Sequence, residues 1–264
     1  MNPRTEAIDS ISFLSRAESR VCLLESLLEA GLLDLRALQE RLDYSRSTIT
    51  RSLDSLIEVG WVTETSDGYQ LTPIGRLIIS DFRELLTTVE ATEKLAPFLE
   101  WFPLASYEIS LEELRGGAVT VATSTNPLAP IRELTTLVRS ATQFRALVPS
   151  IDLETVRLVH DRIVDGELKA EIVVPPEFAE LVADEPFAHL FEELLSSGRH
   201  PIYIVPEVPF YLGIDEETTV QIGVLDDDGI PRAVVETTND SVRTWAESLF
   251  SRYRQSAVDE LTTL

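Results

Sequence analysis

Forty residues, Leu32 to Leu71, constrain this chain more than any other stretch. They read as a helix, a tight turn, a second helix and a β-hairpin. Leu35, Leu38 and Leu42 recur at helical spacing and define one buried stripe. Asp43-Tyr44 is the turn. Ser45 follows as an N-cap, a residue whose side-chain oxygen satisfies an orphan N–H of the next helix. That helix runs to about Val59, with Ile49, Leu53, Leu56 and Ile57 on its buried side. Gly60 stops it. Trp61–Thr65 and Gly68–Leu71 then pair across Ser66-Asp67.

The outward face of the second helix is short, polar and cationic near its start: Arg46, Ser47, Thr48, Thr50 and Arg51. Two helices joined by a tight turn, with such residues early on the second, match a helix-turn-helix, and the hairpin makes it winged. The run "S-R-S-T-I-T-R-S-L-D-S-L-I-E-V-G-W-V…G-Y-x-L-T-x-x-G" resembles the winged-helix domains of prokaryotic transcription regulators. The resemblance implies double-stranded DNA as partner. Ser45, Arg46, Ser47, Thr48, Thr50 and Arg51 would then enter the major groove, the arginines toward phosphate or guanine and the hydroxyls toward bases or backbone. Some winged helices bind protein instead, and that alternative stays open.

Charge qualifies this expectation. The chain carries 45 acidic and 22 basic residues, a net −23, and only Lys94 and Lys169 are lysines. Such a lysine-poor acidic composition resembles proteins of salt-accumulating halophiles. A DNA reader is ordinarily basic at its contact face. From Arg36 to Arg51 four arginines face only Glu40 and Asp43, a local excess of positive charge. In molar salt the counterion-release term is already mostly lost, so affinity leans on hydrogen bonds and shape and fewer cations are needed. The same charge predicts loss of structure on desalting, through self-repulsion.

The 264 residues favour two domains. With one cysteine, Cys22, in an apolar helical context, neither an intramolecular disulfide nor a cysteine-based zinc site is possible. No apolar run reaches membrane-spanning length and no signal-peptide core follows Arg4, so a cytoplasmic protein is expected.

Around the winged segment, residues 1–16 read as a polar lead into a short helix and Ala17 to Ala30 as a scaffold helix ended by Gly31. Thr72-Pro73 opens a long helix. Its apolar residues Ile78, Phe82, Leu85, Val89, Thr92, Ala96 and Leu99 alternate by four and three, a heptad seam that predicts a homodimer. Pro97 should break or kink it. The expected domains are therefore a winged helix-turn-helix at 1–72, a linking and dimerisation helix at 73–99, and an α/β sensor or regulatory domain at 100–264.

In that last part strands at 118–122, 144–148, 169–174 and 202–205 alternate with helices, which argues for a parallel sheet with crossovers. Strands at 210–214, 219–225 and 232–237 then follow without helices, and an amphipathic helix opens at Asp240. The chemistry is sparse. Gly116-Gly117 precedes a strand, so it is no dinucleotide fingerprint, and no Gly-x-Ser-x-Gly elbow exists. His160 and His189 lack a second ligand at metal spacing. No cofactor and no metal centre are implied.

The order of strands, with Pro209–Asp215 and Val220–Gly223 before the last helix, resembles the phospholipase D-type fold. The whole layout is similar to archaeal TrmB-like regulators and to those with the middle domain named for the methanogenesis regulatory protein. Enzymes of the phospholipase D type need a His and a Lys ahead of an Asp. With Asp215 as that Asp, Val208 and Phe210 stand where His and Lys belong, and neither can attack phosphorus or stabilise its charge. The resemblance thus implies a degenerate, non-catalytic domain. A phosphodiester or lipid hydrolase with the winged helix as adaptor is the competing reading. Ligands of open α/β sheets sit beyond the carboxyl ends of the strands. There the sequence places Ser124, Thr125, Ser150 and Glu207, candidates for an effector site and equally good helix caps.

Overall fold

The computed structural model describes residues 2–198 and 200–261. The chain forms two compact units, Met1–Val89 and Glu90–Leu264. In the first, helices α1 (Pro3–Ser15) and α2 (Glu18–Ala30) precede the short strand β1 (Leu32–Leu33). Helices α3 (Leu35–Arg41) and α4 (Arg46–Glu58) follow, then strands β2 (Val62–Thr65) and β3 (Gly68–Leu71), then the opening turns of α5 (Pro73–Leu99).

Local chemistry sets each boundary. The Asp34 carboxylate accepts the Ala37 N–H at 2.7 Å to start α3, and the Ser45 hydroxyl accepts the Thr48 N–H at 3.2 Å to start α4. Gly31 and Gly60 end α2 and α4 in left-handed conformations, φ +81° and +75°. Leu23, Leu24, Leu27, Leu38, Ile49, Leu53 and Leu56 are all sealed from solvent in one core. Each such side chain contributes about 1.5–3 kcal/mol relative to leaving it exposed. Inside that core the Ser19 and Ser52 hydroxyls satisfy each other at 2.9 Å, so α2 and α4 can approach without stranding a polar group.

Two features differ from the expectation for this region. The lead segment is a full helix, α1, capped by Asn2. Strand β1, too short to show a period, pairs antiparallel with β3, giving a three-stranded sheet in the order β1-β3-β2.

The long helix departs further. Its buried positions near the winged core are Gly75, Ile79, Phe82 and, half-buried, Leu86. Of the expected seam, Ile78 and Phe82 pack on the chain's own core, whereas Leu85 and Val89 are 48% and 46% exposed. A seven-residue period records that a helix has one apolar side; it does not record what covers it. Pro97 does not end the helix, which continues to Leu99. A proline this close to the terminus removes only one intrahelical hydrogen bond.

In the second unit, α6 (Leu111–Leu114), β4 (Ala118–Val121), α7 (Ala129–Ser140), β5 (Gln143–Leu147), α8 (Leu153–Val164) and β6 (Lys169–Val174) come first. Next are α9 (Glu177–Val182), α10 (Ala188–Ser196) and β7 (Ile202–Ile204). The chain closes with β8 (Tyr211–Asp215), β9 (Val220–Leu225), β10 (Pro231–Thr237), α11 (Asp240–Gln255) and β11 (Asp259–Leu261). The eight strands form one sheet in the order β11-β7-β6-β5-β8-β9-β10-β4.

Among the described residues only β5, β6 and β7 are parallel neighbours, joined by crossover helices as expected. β4 is not beside β5. It lies at the far edge, antiparallel to β10, because β8, β9 and β10 fill the space between. Alternation along the strands supplies both faces. Val173, Leu212, Ile214, Ile222 and Val235 meet α11 and Phe98 and Phe102 on one side. Ala146, Ala170, Ile172 and Val174 meet α7 to α10 on the other. Phe102 stacks 4.8 Å from Phe98 and meets Phe210 edge-on at 5.2 Å, so the connector after α5 is packed into this unit.

Candidate nucleic-acid interface

Ser45, Arg46, Ser47, Thr50 and Arg51 share one shallow depression on the exposed face of α4, together with Asp54. The side chains fall together because 45, 46, 47, 50, 51 and 54 lie on one side of a 3.6-residue helix whose other side carries Ile49, Leu53 and Leu56. Neither Arg46 nor Arg51 makes an ion pair or hydrogen bond with the described residues, and both are exposed. The neighbouring Arg41 is likewise exposed, while Arg36 is taken up by Glu40 at 2.9 Å.

Thr48 departs from the expected set. It is half-buried, and its hydroxyl lies 2.9 Å from that of Ser45, within the N-cap. The Ser45 hydroxyl also lies 2.9 Å from the Ser47 hydroxyl. The cap thus holds the hydroxyls in fixed places and leaves the arginines extended. Asp54, one turn beyond Arg51, was absent from the sequence-derived set; the i, i+3 spacing from Arg51 is the signal that could have found it.

The wing is short and acidic. Between Val62 and Leu71 it holds Glu64 and Asp67 and no lysine or arginine. Gly68 adopts φ +140°, and a Cβ there would lie 2.5 Å from the Leu33 carbonyl oxygen, so the hairpin can close on β1 only with glycine at this point. Cys22 is half-buried, its sulfur 3.8 Å from the Tyr44 hydroxyl. This contact ties the helix-turn-helix turn to α2. Burial comes first in pushing the Tyr44 phenol up to about 12.

The four candidate effector residues are not brought together. Ser124 and Thr125 lie exposed in the turn after β4, at the sheet's outer edge, where Thr123 and Asn126 bridge. Glu207 is exposed after β7. Ser150 alone reaches a cavity, between β5 and α8, where the Tyr211 hydroxyl donates to its carbonyl at 2.6 Å. The topology explains the separation, since β4 and β5 are not neighbours. Val208 and Phe210 are packed in the core of this unit. The Asp215 carboxylate accepts the Thr219 N–H at 2.9 Å and sits 3.5 Å from the Arg243 guanidinium. His160 bridges Asp161 and Glu193 at 3.0 and 2.7 Å, and His189 is exposed beside Glu193. Among the described residues no group of three or more His, Cys, Asp or Glu is arranged to hold a metal ion, and no helix is long and apolar enough to cross a membrane.

Residues 8–94 match the model of the HVO_A0261 N-terminal domain, and residues 127–256 that of the middle domain of the methanogenesis regulatory protein FilR1. No curated protein matches the chain. Among solved structures it is similar to TrmBL2, described as an archaeal chromatin protein with a novel mode of DNA binding. Identity is 15% over 94% of this chain and 98% of that one, with a TM-score of 0.43. The α/β part is similar to Nuc, a phospholipase D family member from Salmonella typhimurium, at 16% identity over 53% of this chain and 93% of that one (TM-score 0.40). It is similar also to NucT from Helicobacter pylori, at 11% identity over 54% and 97% (TM-score 0.41). The two parts of the chain are thus similar to two known domains, residues 8–94 to the HVO_A0261 N-terminal domain and residues 127–256 to the FilR1 middle domain.

Proposed function

We propose that this protein is a homodimeric, DNA-binding transcription regulator whose α/β unit is non-catalytic and senses a small molecule or mediates assembly. The observation that carries the reading is the state of Arg46 and Arg51. In a chain of net charge −23 acidic partners are abundant, yet these two guanidinium groups extend from the start of α4 with no partner among the described residues. Unpaired arginines beside capped hydroxyls on an exposed helix suit phosphate and base-edge contacts. The FilR1 match, to a regulatory protein, supports the same reading. With an acidic wing, the main contact falls to α4.

A second copy would cover the apolar residues left exposed on α5, Ile74 and Leu77 as well as Leu85 and Val89. Several exposed apolar side chains on one helix mark an interaction surface. Two recognition helices about one DNA turn apart would then favour pseudo-palindromic sites. An effector bound more tightly by one arrangement of the dimer would shift that spacing.

Gel shift with genomic fragments at molar potassium tests the DNA reading. The double variant Arg46→Ala, Arg51→Ala should abolish the shift with an unchanged circular dichroism spectrum; retained binding would move the DNA face elsewhere. Light scattering of a Leu77→Glu, Leu85→Glu variant tests the dimer, which should become monomeric.

A further inference from the structure

Beneath α7, α8 and α10, on the face of β5, β6 and β8, the α/β unit holds a partly open cavity of about 230 Å³. Its wall is apolar, with Val156, Ile172, Phe178 and Phe191 among the lining side chains. Gly213 contributes no side chain to the sheet floor, where even a Cβ would crowd the Phe144 ring at 3.1 Å. Most polar groups on the wall are already committed. The Asp152 carboxylate holds the first turn of α8 through the Thr155 N–H and hydroxyl at 2.9 and 2.6 Å. The Tyr211 hydroxyl is engaged by Ser150, and the Gln221 amide donates to the Glu133 carbonyl at 2.9 Å.

One polar side chain is not committed. His200 lines the cavity at 4% exposure, and its Nδ1 has no hydrogen-bond partner among the described residues. A buried nitrogen without a partner is costly; Nδ1 is itself sealed from the free space of the cavity, so a ligand that supplies a partner recovers the loss as the imidazole turns toward it. Among the described residues the wall carries no lysine or arginine, and their one charged group is the Asp152 carboxylate, so these residues offer an anion no compensation. An apolar cavity of about 150 Å³ is enough to hold benzene, so this one admits roughly nine non-hydrogen atoms.

We propose that this cavity binds a compact, uncharged ring compound carrying one hydroxyl, of the alkylphenol class, with the hydroxyl bonded to the His200 imidazole. A hydroxyl both donates and accepts and therefore serves either imidazole tautomer. Burial holds His200 neutral, with its pKa lowered to about 4, which suits a neutral partner. The inference deepens the sensor reading of the α/β unit and rests on it for its regulatory consequence; binding itself requires no DNA.

The test is calorimetric titration of the full chain with 4-methylphenol, toluene and 4-methylbenzoate at neutral pH in molar potassium chloride. One 4-methylphenol should bind per chain, toluene should bind about five- to tenfold more weakly for want of one neutral hydrogen bond, and 4-methylbenzoate should not bind. His200→Phe should erase the preference for the phenol over toluene, while His200→Asn, which keeps a polar group there, should retain part of it. Ala146→Leu should fill the floor of the cavity and abolish both. Absence of phenol binding in the wild-type chain overturns the proposal, whatever the variants do. So does binding that His200→Phe and Ala146→Leu leave unchanged. The Arg46→Ala, Arg51→Ala variant should bind the phenol normally, which separates a failed DNA reading from a failed ligand site.

Discussion

Gly75, in the first turn of α5, lies against the carbonyl of Trp61 with no room between them for a methyl group. The Thr72 hydroxyl fixes this approach: it donates to the Gly60 carbonyl at 2.8 Å and accepts the Gly75 N–H at 3.1 Å. Glycine to alanine in a helix normally stabilises by about 0.8–1 kcal/mol. Here the sign should reverse. Gly75→Ala must move backbone in a packed unit, and should destabilise it by about 1–3 kcal/mol in chemical denaturation. A gain in stability would show that α5 does not sit on Trp61.

Asp54 shares the depression on α4 with Arg46 and Arg51 and would repel an approaching phosphate. Asp54→Asn should therefore tighten DNA binding a few-fold at the lowest salt in which the chain keeps its circular dichroism spectrum, and the gain should shrink as salt is raised from there because exposed charges are screened. A gel-shift series over potassium concentration checks both the gain and its decay. A gain constant with salt would mean that the substitution acts through packing.

Glu216 ties the turn after β8 to the residues that open β5. Its carboxylate accepts the Thr142 N–H at 2.8 Å, the Thr142 hydroxyl at 2.6 Å and the Gln143 N–H at 3.0 Å. Partial burial acts to raise its pKa, but these donors outweigh it and bring the group down to about 2. A pKa below the unfolded value means stability that is present above about pH 4.5 and lost as pH falls toward 2. Glu216→Gln should cost about 1 kcal/mol near neutrality, moderated by solvent at this exposed site. The difference from wild type should close in acid, as measured by urea denaturation across that window.

His160 joins α8 to α10 through Glu193, with Asp161 on its other nitrogen. Burial pulls its pKa down, but the two carboxylates prevail and the net direction is upward. Its contribution is thus complete below about 6.5 and lost as pH rises through the folded value. His160→Gln should flatten the stability profile on the alkaline side of 6.5. His200 acts in the opposite sense. Buried and neutral, it withdraws stability as pH falls from 6.5 toward 4, and His200→Phe should remove that decline. Thermal melts of the two variants between pH 4 and 9 separate the contributions.

The winged segment was legible because its signals are short-range. A cap acts on an N–H three residues away, a glycine ends the helix it follows, and a leucine stripe repeats within two turns. Ser45, Asp34, Gly31 and Gly60 each do locally what their chemistry dictates. The same logic found most strands and helices of the α/β unit nearly to their ends, though it left α6 (Leu111–Leu114) inside a connector. It failed at β1 and β11, which have two and three residues and exist only because β3 and β7 offer them a free edge.

What the residues alone determined, then, is where the backbone turns, which helix side is apolar, and that Arg46 and Arg51 point outward. Tertiary structure alone decided three other matters. It put β4 beside β10 instead of β5, and so scattered Ser124, Thr125, Ser150 and Glu207. It divided the α5 stripe, burying Phe82 and leaving Leu85 and Val89 in solvent. It formed a cavity beside His200 from strands and helices far apart in sequence. The physical reason is common to all three: capping and periodicity act over a few residues, whereas strand neighbours, covered faces and voids are set by which distant surfaces fill the same space.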